Sequence, residues 1–179
     1  MRSEYINYGD LQHLFAALMP ENALVLRVAL ETGLRIGDVL AIRSDQIARQ
    51  RFTVREQKTG KSRRVYLSRP LWDALRRSAG RFYVFEGRCD PHKHRTRQAV
   101  FNDLKRAAKA FRLPQNVSPH SLRKLYAVTL LDETGDIELV QRALNHDRIQ
   151  TTLIYALSDR LDLLQSLKRK RKRKPPRSR

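Results

Sequence analysis

Cysteine is almost absent from this 179-residue chain, acidic residues are scarce, and no long apolar run occurs in it. The lone thiol, Cys89, excludes a disulfide framework and a thiolate zinc site. Without a run of about 18 apolar residues the sequence offers no membrane-spanning helix. The N-terminus lacks a basic-then-apolar leader pattern, and no segment carries a basic amphipathic face with aromatic anchors. The acidic residues are not clustered in a way that would hold Mg²⁺, so no metal or other cofactor is expected. No internal repeat is visible.

What the chain has in excess is positive charge. Its 37 Lys and Arg stand against 18 Asp and Glu, a net +19. That is far more than solubility requires, and it fits an anionic polymer as partner. The charge is uneven. Residues 168–179 hold nine basic and no acidic side chains, leaving 28 basic against 18 acidic over residues 1–167, or +10. Like charges repel and no apolar side chain follows Leu167, so this tail is expected to be disordered when free.

The length suits one domain, 1–167, followed by the tail. Asp10 can cap a first helix ending near Met19, and a second runs from Glu21 to about Thr32, with Gly33 placed as its C-terminal cap. Arg35 then follows a helix end, and Gly37–Ile42 reads as a short third helix. From Arg51 to Leu67 the period changes: Phe52, Val54, Val65 and Leu67 alternate with polar neighbours around Lys58-Thr-Gly-Lys61, which predicts a β-hairpin. Leu71–Ser78 is expected to be helical behind Pro70, Arg81–Phe85 to be a third strand beside the hairpin, and 87–96 a loop. Five helices complete the chain, over about Arg97–Phe111, Pro119–Thr134, Ile137–Leu144, Ile149–Leu157 and Asp159–Leu167, with breaks at Pro114, Gly135 and Asn145. The fold class is mainly α with a small antiparallel β-sheet.

Within this frame four short motifs stand out: Thr32-Gly-Leu-Arg35, His120-Ser-Leu-Arg123, Leu144-Asn-His146 and Thr151-Thr-Leu-Ile-Tyr155. They supply two guanidiniums, two imidazoles and a phenol. A planar guanidinium can hold two non-bridging oxygens of a phosphodiester under attack, and a pair of them in a dry pocket stabilises its growing charge. His120 and Arg123, three apart on one helix, share a face, next to an inward face of Leu122, Leu125, Tyr126 and Thr129. Taken singly, each motif is common; HxxR is also what a surface helix can carry. His92 and His94, flanking Lys93 in a basic loop without acids or thiols, read as solvated rather than metal-binding.

The four motifs, in this order and with a Lys-bearing hairpin between the first two, resemble the catalytic domain of tyrosine recombinases, the phage integrase family, over about residues 8–165. The resemblance implies that fold and an enzyme that cuts and rejoins DNA at specific sites through a 3′-phosphotyrosine, without metal or ATP. Tyr155 would be the nucleophile, Arg35 and Arg123 the phosphate clamp, His120 the proton acceptor and His146 a hydrogen-bond donor. Lys58 would protonate the leaving 5′ oxygen, a role a desolvated lysine can fill. Asp38, one turn from Arg35, would orient the scaffold. Lys61, which shares the hairpin turn, and Lys168, Arg169, Lys170, Arg171, Lys172, Arg173 and Lys174 are expected to bind DNA backbone. The implied partners are double-stranded DNA, further copies in a homotetramer on DNA, and an accessory DNA-bending protein or a larger recombinase. The implied setting is a mobile genetic element, and the location the cytoplasm, with the nucleoid. A non-catalytic DNA-binding protein of the same fold that regulates a larger recombinase is the alternative.

The sequence departs from the family pattern at Asn145, where glycine is common, and at Lys124-Leu-Tyr126. Asparagine tolerates left-handed backbone angles, so the turn can survive. The N-terminal DNA-binding domain of many members is expected to be absent, with the basic tail substituting in part. Deleting residues 168–179 is then expected to weaken binding similarly on all DNA sequences and to flatten its salt dependence, measured by titration at several salt concentrations. An unchanged slope would remove the tail from the interface.

Overall fold

The computed structural model describes residues 8–113 and 116–145. Helix α1 (Tyr8–Ala17) is followed by α2 (Pro20–Thr32), whose proline occupies the first turn, where its missing N–H has no helical partner to lose. Asp10 lies inside the first turn of α1 rather than capping it: the helix starts two residues earlier, and a carboxylate there still faces the positive end of the helix. Leu11, Leu14 and Leu18, with Val25, Leu26, Val28 and Ala29 of α2, are buried in the core. Gly33, at φ +65°, ends α2 in the left-handed conformation, and its N–H donates to the Ala29 carbonyl. The chain then turns through Leu34 and Arg35 into α3 (Ile36–Leu40).

A 3-10 turn, Ser44–Ala48, leads into the hairpin of β1 (Arg51–Arg55) and β2 (Ser62–Tyr66), antiparallel with Phe52 opposite Val65 and Thr53 opposite Arg64. Phe52, Val54 and Val65 face the core, and the turn closes at Gly60, with φ +67°. Helix α4 (Arg69–Ser78) starts where Glu31 of α2 accepts hydrogen bonds from the Ser68 amide and hydroxyl. The Trp72 indole N–H donates to the Ile47 carbonyl at 2.9 Å, tying α4 to the 3-10 turn.

Arg81–Phe85 is not a third strand of the hairpin. The segment runs antiparallel beside the stretch after α3 instead, pairing Tyr83 with Arg43, while the Val84 amide donates to the Ile42 carbonyl and the Ser44 amide to that of Phe82. Its two buried apolar residues, Val84 and Phe85, are consecutive rather than alternating, which suits an isolated bridge and not a longer ladder with one dry face. A loop follows to α5 (Arg97–Ala110), whose Thr96 cap accepts from the Ala99 amide. Asp103 of α5 binds the start of α2 through the Met19 amide and the Asn22 side chain. Burial would raise its carboxyl pKa, but hydrogen bonds from Asn22, Arg106 and Met19 outweigh burial and hold it below the ordinary value.

Helix α6 (Pro119–Thr134) ends at Gly135, and α7 (Ile137–Leu144) ends at Asn145 with φ 54° and ψ 40°, so asparagine does adopt the left-handed turn expected of it. Packing divides the chain after Tyr126 into two compact units. In the first, Leu122 and Leu125 are buried and Tyr126 is half-buried; Thr129, further along the helix, is exposed rather than inward. The helices expected over 149–157 and 159–167 lie outside the described residues. The architecture is mostly helical with one two-stranded antiparallel sheet among the described residues.

Gly33 is required twice, by its positive φ and by its neighbour. A Cβ on it would lie 2.5 Å from Cε1 of Tyr126. Gly33→Ala is expected to lose roughly 2–4 kcal/mol in urea unfolding. Adding Tyr126→Ala should return the clash part of that loss and leave the backbone part.

Candidate active site

The site grows from the C-terminal end of α2. The last carbonyls of a helix lack intrahelical donors and carry the negative end of its dipole. Here two remote arginines supply the donors: Arg63 Nη2 of β2 binds the Thr32 carbonyl at 2.7 Å, and Arg123 Nη1 of α6 binds the Gly33 carbonyl at 2.5 Å. One helix end thereby fixes both the hairpin and α6. Arg35, two residues beyond Gly33, caps α3 in extended conformation and joins the same cluster.

Three guanidiniums this close need counter-charge, and two buried carboxylates provide it. Glu56, just past β1, is fully buried and its Oε2 accepts from Arg35 Nη1 at 2.5 Å and from the Thr59 hydroxyl at 3.1 Å. Asp38, 3% exposed, accepts from the Gln57 amide through Oδ1 at 2.9 Å and so ties α3 to the hairpin turn. Arg123 is itself only 3% exposed. Its pKa is lowered to about 10, first by burial and then by Arg35 and Arg63, with Glu56 and Asp38 opposing. It stays cationic at neutral pH. Burial likewise lowers Arg63 from its ordinary value, against the pull of Glu56.

His120 lies at the rim of this cluster, with solvent access. The packing around its ring, then the positive charge of Arg123, Lys124, Arg35 and Lys58, holds its imidazole below the ordinary 6.5. A neutral imidazole at pH 7 is a proton acceptor. Lys58 is exposed on the hairpin turn, and Lys61 is exposed on its far side.

Of the residues singled out from the sequence, Arg35, Asp38, Lys58, His120 and Arg123 are thus brought around the end of α2. His146, Tyr155 and the basic run from Lys168 to Lys174 lie outside the described residues. The loop histidines take ordinary contacts instead: the His92 ring stacks on Phe82, and His94 Nδ1 lies 2.8 Å from the Arg95 carbonyl. Among the described residues no group of side chains is arranged to hold a metal ion, and no helix is long and apolar enough to cross a membrane. Glu56 and Arg63 were overlooked in the sequence. Glu56 did leave a signal, because it continues the inward series of Phe52 and Val54, where a carboxylate requires a buried cation.

The sequence and the fold have counterparts among known proteins. A family model described as the phage integrase family matches residues 5–161. The chain is 29% identical over 152 residues to the integrase of Escherichia phage P2, covering 85% of this chain and 42% of that protein. It is 31% identical over 159 residues to tyrosine recombinase XerD of Mycobacterium leprae, covering 78% and 49%. The chain therefore spans about half the length of these curated relatives. Among solved structures, the catalytic domain of bacteriophage HP1 integrase shares the fold with a TM-score of 0.67 at 24% identity, covering 93% of this chain and 95% of that one. A lambda integrase tetramer bound to a Holliday junction matches with a TM-score of 0.71 at 19% identity, covering 87% and 48%.

Followed by NMR against pH, the His120 imidazole is expected to titrate with a midpoint below 6.5. Lys124→Gln, which removes one repelling charge, should move that midpoint upward. Because the folded pKa is depressed, the unfolded chain binds the His120 proton more readily, so this residue's contribution makes the fold less stable as pH falls through 6.5.

Proposed function

The chain belongs to the phage integrase family, and on that premise we propose that it is the catalytic part of a site-specific tyrosine recombinase acting on double-stranded DNA. The observation that carries this reading is the convergence of Arg35, Arg123 and His120 on the end of α2, within electrostatic reach of Lys58. Such a pocket suits a phosphodiester whose charge increases as it is attacked.

In the proposed reaction the Tyr155 oxygen attacks the scissile phosphorus, its proton passing to the neutral His120. A P–O bond to Tyr155 forms as the bond to the 5′ oxygen breaks. Lys58 protonates that oxygen, leaving a 3′-phosphotyrosine and a free 5′-hydroxyl. Arg35 and Arg123 hold the non-bridging oxygens, and His146 donates a hydrogen bond to one of them. Attack by another strand's 5′-hydroxyl reverses the sequence on a new partner, so the bond energy is kept in the ester and ATP is not required. Asp38 orients the α3 end of the clamp. Lys61 and the run Lys168–Lys174 grip backbone phosphates. By analogy with the lambda integrase tetramer, exchange would proceed in a homotetramer on paired sites, with an accessory DNA-bending protein or a larger recombinase as further partner. On this reading the protein works with the nucleoid, in the service of a mobile element.

The test begins by sequencing DNA ends trapped covalently on the protein in cells, which supplies the cognate site. A nicked suicide duplex of that sequence is expected to give a denaturant-resistant protein–DNA adduct, absent in Tyr155→Phe and slowed roughly 10²–10³-fold in Arg123→Ala. Binding without any adduct would support a non-catalytic DNA-binding protein of the same fold instead.

A further inference from the structure

Glu56 has no part in the proposed chemistry, yet it is the most deeply buried charge beside it. It is fully buried, and among the described residues its Oε1 has no hydrogen-bond partner. A carboxylate serving only to stabilise the fold would be expected to satisfy both oxygens, because an unpaired buried acceptor costs about 1–3 kcal/mol. Glu56 instead meets Arg35 through one nitrogen and one oxygen, although arginine and carboxylate can pair through two parallel bonds. The Arg35 side chain keeps 27% of its surface exposed, unlike the buried Arg123. The pair is therefore anchored on the protein side and open on the solvent side, where a phosphate would arrive.

The same carboxylate reaches the hairpin turn. Glu56 Oε2 accepts from Thr59, the residue after Lys58, and the Glu56 backbone closes the turn through its amide to the Lys61 carbonyl and its carbonyl to the Gly60 amide. The carboxylate that holds Arg35 thus also holds the turn that carries Lys58.

We propose that Glu56 is a positioning residue that acts through Arg35: it neutralises and aims the Arg35 guanidinium and is displaced in part by the incoming phosphate, coupling that exchange to the Lys58 turn. The inference deepens the recombinase reading and rests on it for the identity of the phosphate. Removing the charge while keeping the shape has opposite effects on the two halves of this role. Phosphate should bind more tightly because a competing anion has gone, and chemistry should slow because Arg35 is no longer aimed.

The experiment titrates the full chain with inorganic phosphate and follows the Arg35 side-chain N–H resonance. Glu56→Gln is expected to lower the dissociation constant read at Arg35 roughly three- to tenfold. In the unmodified protein the Glu56 carboxylate carbon resonance should shift along the same titration curve, a measurement that does not depend on the variant folding. That shift should vanish in Arg35→Ala. Unchanged or weaker phosphate binding in folded Glu56→Gln would overturn the proposal, as would a Glu56 resonance that ignores phosphate. On the suicide duplex, Glu56→Gln should form adduct about tenfold more slowly at saturating DNA, and an unchanged rate would overturn the positioning role. Should the unmodified chain form no adduct at all, the recombinase reading fails while the phosphate titration still decides the role of Glu56.

Discussion

Everything around the candidate site depends on one electrostatic constraint: three guanidiniums share the neighbourhood of a single helix end. Arg63 holds the last carbonyl of α2 and Arg123 that of its Gly33 cap, while Arg35 follows two residues after Gly33. The arrangement persists because α2 offers the negative end of its dipole there and because Glu56 and Asp38 bring buried negative charge to it. Removing one partner from such a network strands the other, typically costing about 3–5 kcal/mol. The hairpin, α3 and the first turns of α6 are therefore tied to one another through these charges.

That lock leaves a surplus of positive potential at the surface. The two carboxylates are spent inside, and His120, Lys58 and the open side of Arg35 lie where the excess is felt. It adds to the packing around the His120 ring in lowering that imidazole, and on the proposed reading it is the potential that an incoming phosphodiester would meet. Gly33 makes the geometry attainable. Only a residue without a side chain can turn left-handed there with the Tyr126 ring against it, and that turn sends Arg35 back toward Arg123.

Periodicity made much of the fold legible. The Gly33 cap, the alternation of Phe52 and Val54, and the asparagine at the end of α7 each state a local backbone preference that packing did not override. Arg81–Phe85 failed for the opposite reason: a short aromatic run fits a strand by composition, yet its neighbour is chosen by tertiary packing, here the segment after α3. Thr129 and Asp10 were misplaced by a turn or less, which is the scale on which side-chain period and helix start are ambiguous. In the site, motif order singled out Arg35, Lys58, His120 and Arg123, whereas Glu56 and Arg63 passed as ordinary strand residues.

Sequence by itself determined the chemistry on offer, namely a strongly basic chain, arginine and histidine at fixed spacings, a lysine in a glycine turn, and helices around one hairpin, because these depend on side-chain type and local period. The tertiary structure alone decided which charges meet. Residues 35, 56, 63 and 123 are distant along the chain, and whether an arginine is a solvated surface group or a buried clamp depends on the carbonyls and carboxylates that folding brings within hydrogen-bond reach.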